Sequence, residues 1–428
     1  MEDKQPPAAQ PINLAPLRNI RYWGAATSAH QVEGKNHNQW SVWEFENANE
    51  LARTAPERLG EWLPRWSEIE AEATQPDNYV SSVAVDFYNR YEEDFDIVEA
   101  LNMNAFRFSI EWSRIEPEPG KWDYTEIEHY RKMLRSLRNR GIEPLVCLLH
   151  FTLPVWFFEL GGFEKKKNIS YFTRFCEKVA TELRNELTYI YTMNEPNVHT
   201  AMTYFEGQWP GHRSLVDGVK HYFNLMKAHK EAYGAMKYVK RDFQIGMTQH
   251  VVHHYSEGWN PVSKAVAKLR SWTWNWLFLN RTAPYHDFVG INFYLSNRVQ
   301  WWWVSNPDER RNDMGWDMQP YNLRHALRET YWRYKKPILI SENGLADAAD
   351  RDRQWWIFET LRGMSDALEK DQVQILGYGH WSLLDNFEWN SGFWPRFGLV
   401  SVDRATLQRT VRDSAKWFAD VLAKIRGL

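Results

Sequence analysis

Two glutamates carry the chemistry this chain can do: Glu195 in "YTMNEPN" and Glu342 in "ISENG". Each follows a short apolar run that reads as a β-strand about to end. A carboxylate there is costly unless it is paired, protonated or put to use. Two facing carboxyls, with no cysteine cluster or His-rich ligand set, suit acid/base and nucleophilic work on a glycosidic bond. One must be protonated to release the leaving-group oxygen. The other must be ionised to meet the developing oxocarbenium charge. The neighbours divide these roles. Arg107 can reach a carboxylate across a barrel mouth, and Tyr294 can donate a hydrogen bond to it; on Glu342 both favour the ionised form. Glu342 is therefore expected to be the nucleophile. Glu195 has no obvious cation beside it, and the negative Glu342 raises its pKa, which suits an acid. Such a pair titrates as one coupled system.

The elements that position these residues follow a rhythm. Short β-prone runs at 21–27, 105–110, 143–149, 187–193, 244–248, 287–293, 337–341 and 374–382 alternate with longer amphipathic stretches. Helices are expected over 86–101, 124–140 with Gly141 closing it, 170–186 with Ser170 as N-cap, and 352–370. Eight β-then-α units predict an α/β fold, a single (β/α)8 barrel with its active site at the C-terminal strand ends. The competing doubly wound sheet would place a Gly-rich phosphate loop after its first strand, and "YWGAATSAHQVEG" lacks that spacing. Residues 1–20 read as a flexible tail, and 21–428 as the barrel domain with an insertion at about 47–80. The run "EIEAE" within the insertion reads as a solvated helix face.

At the predicted strand ends stand Arg107, His150, Asn194, Glu195, Asn292, Tyr294, Glu342 and Trp381, followed by Glu388 and Trp389. Each has a plainer reading. A lone Glu or Arg is more often an ion-pair partner, a lone His a satisfied core residue, Asn292 a turn residue, and the tryptophans core packing. "WWWV" at 301–304 reads as cover for a helix or lid.

Composition narrows the partners. The net charge of −3 gives no field to draw nucleic acid or an anionic membrane, so neither is expected. The 24 tryptophans suit a site that stacks sugar rings as well as a core. The two cysteines, Cys147 and Cys176, rule out a disulfide framework, and Cys147 reads as a small buried hydrophobe. The acidic, Pro-rich start has no signal-peptide pattern, and no apolar run is long enough to span a bilayer. The expected compartment is the cytoplasm.

The segments "YWGAATSAHQVEG", "FRFSIEWSRIEPEPG", "LLHFTLPVWF", "YTMNEPN", "GINFY", "ISENG", "WSLLDNFEW" and "RFGLVSVD" resemble, in order, the signature segments of glycoside hydrolase family 1, the β-glucosidase/β-galactosidase family. The resemblance runs from about residue 21 to 420. It implies a retaining exo-β-glycosidase with Glu195 as acid/base and Glu342 as nucleophile. Gln31, His150, Asn194 and Glu388 match the residues that bind the hydroxyls of the donor sugar. Trp381 and Trp389 match its aromatic contacts, and Phe397 joins the substrate-binding set. Arg107, Tyr294 and Asn292 match the surroundings of the nucleophile. No metal or organic cofactor is implied, and the expected partners are small β-glycosides or oligosaccharides. Members acting on 6-phosphorylated sugars lose the Trp after the sugar-binding Glu and add a Lys/Tyr cradle. Trp389 is kept here, and no lysine lies between Gln374 and Val411. Unphosphorylated β-glucosides, with β-galactosides and β-fucosides, are therefore the expected substrates. His30 stands where Tyr is common, Phe151 where Trp is frequent, and a compact stretch at 249–286 is expected to leave the site more open. A transglycosylase would use the same intermediate with another acceptor. A non-catalytic sugar-binding barrel would usually have lost one of the two glutamates.

Overall fold

The computed structural model describes residues 12–307 and 310–428. Eight parallel strands form a closed barrel: β1 Tyr22–Ala26, β2 Ala105–Ser109, β3 Glu143–Cys147, β4 Tyr189–Asn194, β5 Gln244–His250, β6 Val289–Asn292, β7 Ile338–Asn343 and β8 Ile375–Trp381. Spatial neighbours follow chain order, and β8 pairs with β1 from Tyr22↔Gly377 to Ala26↔Trp381, which closes the ring. Every expected strand is present. The runs were readable because strands buried on both faces are almost continuously apolar.

The core has two layers. Within the barrel, Tyr22, Ala105, Leu145, Cys147, Tyr189, Tyr191, Phe288 and Leu339 pack together. Their strand neighbours Trp23, Phe106, Val146 and Ile190 point outward into the larger core beneath the helices. This is the two-residue alternation of a pleated strand. Cys147 and Cys176 are both buried and free.

Helices Phe87–Ala100, Tyr124–Asn139, Ile169–Glu182 and Arg353–Glu369 lie where periodicity put them. Gly141 takes a left-handed φ of 69° just beyond the second. The Ser170 cap is corrected. That helix begins at Ile169 behind a 3-10 turn, and the Ser170 hydroxyl bonds back to the Lys167 carbonyl at 3.1 Å. The 25-residue helix Leu215–Val239 was not anticipated; two internal glycines and scattered His and Lys blur its apolar face. No helix among the described residues is long and apolar enough to cross a membrane.

Two further expectations change. Residues 1–11 of the expected tail lie outside the described residues, but from Ile12 the chain is docked. Leu17 is fully buried, Ile20 nearly so, and the Asn13 carbonyl accepts from Ser365 Oγ at 2.7 Å. Leu17 on a 3-10 turn and Ile20 just past its end, two large side chains three apart, explain the anchoring. The tryptophans of "WWWV" cover nothing: Trp301, Trp302 and Trp303 are all exposed.

The excursion after β1 is helical, with Gln39–Leu59 capped by an Asn38/Ser41 capping box and a second helix at Trp66–Ala73. Glu68 and Glu70 face solvent while Ile69 and Ala73 are buried, as "EIEAE" predicts. Its far end holds a loop of the site. Asn78 Oδ1 accepts from the backbone of Phe393 and Trp394 at 2.8 and 3.0 Å, and its Nδ2 donates to the Ser391 carbonyl.

Candidate active site

Both glutamates sit just past a break in strand register. The β4–β5 ladder shifts between Tyr191 and Asn194, and the β6–β7 ladder between Ile340 and Glu342. Such irregularities re-aim the side chains that follow. Glu195 itself takes φ 40°, ψ 62°, and Pro196 starts a short helix immediately after it. Proline suits that first helical position, where no backbone donor is needed. Phe151 and Trp389 also have positive φ and line the same cavity as Glu195. Three residues of the cavity wall thus take a backbone conformation that L-residues usually avoid. Beyond Glu342, Gly344 passes so close to β8 that a Cβ would sit 1.7 Å from the Trp381 carbonyl oxygen. The glycine of "ENG" therefore sets the spacing between Glu342 and Trp381.

Arg107, fully buried, reaches across the lumen and links the strand ends. It forms an ion pair with Glu342, donates to Asn194 Oδ1 at 2.7 Å and to Thr248 Oγ1 at 3.3 Å, and lies over the Tyr191 ring at 5.0 Å. Tyr294 donates its hydroxyl to the other Glu342 oxygen at 2.7 Å. Asn292 is corrected. Its Nδ2 donates to Glu195 Oε1 at 2.7 Å and to Asn194 Oδ1 at 3.3 Å, so it supports Glu195 rather than Glu342. The pairing of Asn292 with Glu342 in the ladder puts their backbones side by side while the side chain points the other way.

The carboxyl of Glu195 titrates well above the usual range. Burial is the main cause and the Glu342 charge the second, offset in part by the Asn292 amide and Arg107. Enclosure contributes more than the neighbouring charge to which the sequence points.

The network also fixes a tautomer. Asn194 Oδ1 accepts from both Arg107 and Asn292, so its Nδ2 must donate to His150 Nε2, 3.3 Å away. Burial, with Arg107, holds His150 well below its ordinary pKa and hence neutral. Its proton is then on Nδ1, which is buried without a protein partner. The ring stacks parallel to Trp381 and Trp389, with centroids 5.9 and 6.2 Å away.

Gln31 donates to the Phe387 carbonyl at 2.8 Å and to Glu388 Oε2 at 3.2 Å, and accepts from Ser28 Oγ at 2.7 Å. Asn386 donates to the same Glu388 oxygen at 3.0 Å. Burial pushes the Glu388 carboxyl up to about 7, against the hydrogen bonds it accepts. His30, at the common Tyr position, stacks on Trp389 with centroids 5.7 Å apart. Phe151 packs edge-on to Trp389 and Trp209.

Gln31, His150, Asn194, Glu195, Tyr294, Glu342, Trp381, Glu388, Trp389 and Phe397 all line one cavity of about 280 Å³. Arg107 and Asn292 lie just beneath it. Sequence reasoning missed the outer wall: Val198, Met202, Trp274, Leu295, Met314 and Trp316. Met202 and Trp274 sit on π-helical turns at Ala201–Glu206 and Trp272–Trp276, which no local pattern signals. Trp274, within the stretch expected to leave the site more open, enters the cavity wall and donates to His250 Nδ1 at 3.1 Å. Thr248 was within reach of the sequence argument, as the last residue of the fifth predicted run.

The chain matches the Glycosyl hydrolase family 1 profile over residues 16–286 and 280–426. β-Glucosidase A of Acetivibrio thermocellus is 28% identical, the alignment covering 94% of this chain and 96% of that protein. A galactolipid galactosyltransferase of Arabidopsis thaliana is 30% identical over 78% of this chain and 57% of its own length. Among solved structures, a β-glycosidase from Pyrococcus horikoshii superposes with a TM-score of 0.81 at 31% identity, covering 95% of this chain and 97% of that one. The Thermotoga maritima β-glucosidase in complex with glucoimidazole gives 0.83 at 25% identity, covering 95% and 98%. Profile, relatives and barrel agree from end to end: the chain belongs to glycosyl hydrolase family 1 and is a glycoside hydrolase.

Proposed function

We propose that the protein is a retaining exo-β-glycosidase acting on unphosphorylated β-glucosides, and on β-galactosides and β-fucosides, by double displacement. The observation that carries this is the asymmetry between two carboxyls on one cavity. Glu342 is gripped by a cation and a phenol, whereas Glu195 is enclosed with one amide donor. Glu342 attacks the anomeric carbon as Glu195 gives its proton to the leaving oxygen; Glu195 then takes a proton from the water that releases the sugar. Asn292 occupies Glu195 Oε1, which leaves Oε2 to carry the proton. His150 Nδ1–H, Gln31 and Glu388 suit vicinal hydroxyls, and the indoles of Trp381 and Trp389 suit the C–H faces of the ring. Tryptophan and the absence of lysine around Trp389 support a sugar without a phosphate. The name of the Acetivibrio relative, β-glucosidase A, points the same way.

The test is release of p-nitrophenol from the β-glucoside, β-galactoside and β-fucoside. Turnover of at least one, with the β-anomer of the sugar as first product, is expected. No release by folded protein would reject the reading, and an α-anomeric first product would reject retention.

Transglycosylation is a second reading, favoured by the apolar outer wall of Val198, Met202, Leu295, Met314 and Trp316. That wall suits an apolar aglycone or acceptor better than water alone, and one relative is named a galactosyltransferase. Product analysis with an alkyl alcohol as acceptor separates the two outcomes, as alkyl glycoside or free sugar.

The coupling of the carboxyls gives a pH prediction. Replacing Glu342 with Gln removes the second cause of the raised Glu195 pKa and keeps the first, burial. The Glu195 proton should then leave at lower pH than in the parent, while still above the unperturbed value of about 4.3. Carbon-13 NMR titration of the Glu195 carboxyl reads this directly. An unchanged midpoint would show that Glu342 does not act on Glu195.

A further inference from the structure

Trp301, Trp302 and Trp303 are 57%, 59% and 66% exposed and form the tip of a hairpin. Ser296–Gln300 pairs antiparallel with Trp303–Val304, Gln300 opposite Trp303, and Trp301 turns the chain at φ 55°. Glycine or asparagine is the usual residue at such a position, so a tryptophan there gives up local stability. The backbone is pinned from below. Trp301 N–H donates to Ser263 Oγ at 2.7 Å, and Arg270 donates to the Trp302 carbonyl at 3.3 Å. The indoles are left outside.

The adjoining helix Pro261–Ser271, bonded to the hairpin through Ser263 and Arg270, and its flanks also expose Trp259, Leu269 and Trp272. Cations interleave with these side chains. Lys264 lies over the Trp259 ring at 5.1 Å, and Lys264, Lys268 and Arg270 have no carboxylate partner among the described residues. Arg298 is paired with Glu257. Residues 256–304 hold five Lys or Arg against two Asp or Glu, in a chain whose net charge is −3. The overall charge argued against a membrane partner, but this patch has the opposite sign.

We propose that the hairpin tip docks the protein on an anionic lipid surface. The indoles lie at headgroup level, and Lys264, Lys268 and Arg270 sit over the lipid charge. Tryptophan favours that boundary because its ring is apolar and its N–H wet, and clustered cations add attraction to acidic headgroups. A polysaccharide fits less well. Adjacent strand positions face opposite sides, so three consecutive indoles fan around a tip and do not form one flat platform. The root of the hairpin, Leu295, lines the cavity. The tip stands six residues further on, so one element joins the lipid surface to the apolar wall of the site.

The test is flotation of the full chain with phosphatidylcholine vesicles, with and without phosphatidylglycerol, at low and high salt. Binding about tenfold or more stronger to the anionic vesicles, weakened by salt, is expected. The double variant Trp302→Ser/Trp303→Ser should lose about tenfold or more of that binding. Both side chains are exposed and outside the cavity, so the variant should keep the parent's circular dichroism and its rate on soluble substrate. The proposal is overturned if neither vesicle binds, or if the variant floats like the parent. It is equally overturned if light scattering finds a dimer that the variant loses, or if the protein is retained on cellulose, with no vesicle binding in either case. None of these readouts depends on which glycoside is cleaved.

Discussion

Glu342→Ala should lower kcat on p-nitrophenyl β-glucoside by roughly four to six orders of magnitude, the scale seen when a catalytic nucleophile is removed. It should leave a cavity next to Arg107 that a small anion can enter. Azide then attacks the anomeric carbon directly, in one displacement from the face Glu342 occupied. Activity should rise with azide concentration, and the product should be the α-glycosyl azide, inverted relative to the substrate. Glu195→Ala is the counterpart. With a good leaving group the first step needs little acid help, so the glycosyl-enzyme should accumulate after a burst. Azide then intercepts it with net retention, giving the β-glycosyl azide. The two azides, of opposite configuration, are the signature of the assignment. A Glu342→Ala protein with parental turnover, or one giving the β-azide, would exchange the roles or remove them.

The barrel was legible because its strands are buried on both faces, so apolar runs such as "EPLVC" and "YIYTM" survive with little polar interruption. The two glutamates were legible because a carboxylate closing such a run is out of place. Three things were not. Asn292 and Glu342 end adjacent strands, and only the side-chain direction after the register break shows that the amide serves Glu195. The weight of burial in the Glu195 pKa depends on enclosure by loops far apart in sequence. The outer wall depends on π turns, where one extra residue per turn rotates Met202 and Trp274 into the cavity and leaves no mark on the periodicity. Residues 301–303 escape the pattern for a simpler reason: three large apolar residues in a row suggest burial, and a hairpin whose backbone is bonded to the Ser263 and Arg270 side chains holds them out.

Arg107→Met has the second large expected effect, on stability as well as rate. The guanidinium is the cation bonded to Glu342 and also the donor that fixes Asn194, which in turn sets the tautomer of His150. Without it Glu342 is a buried carboxylate with one hydroxyl donor, and Asn194 keeps only the Asn292 amide on its oxygen. Removing one partner of a buried ion pair costs about 3–5 kcal/mol, most of it from the charge left behind. The variant should therefore unfold at much lower urea than the parent, with kcat falling further than KM rises, because nucleophile and sugar-binding side chains are disturbed together. The double variant Arg107→Met/Glu342→Gln removes both charges and should be more stable than Arg107→Met alone, although it no longer has a nucleophile to work with. If the double variant is no more stable than the single, the cost lies in packing over Tyr191 and the bonds to Asn194 and Thr248. Arg107 would then be holding the floor of the site together, and its charge would matter little to Glu342.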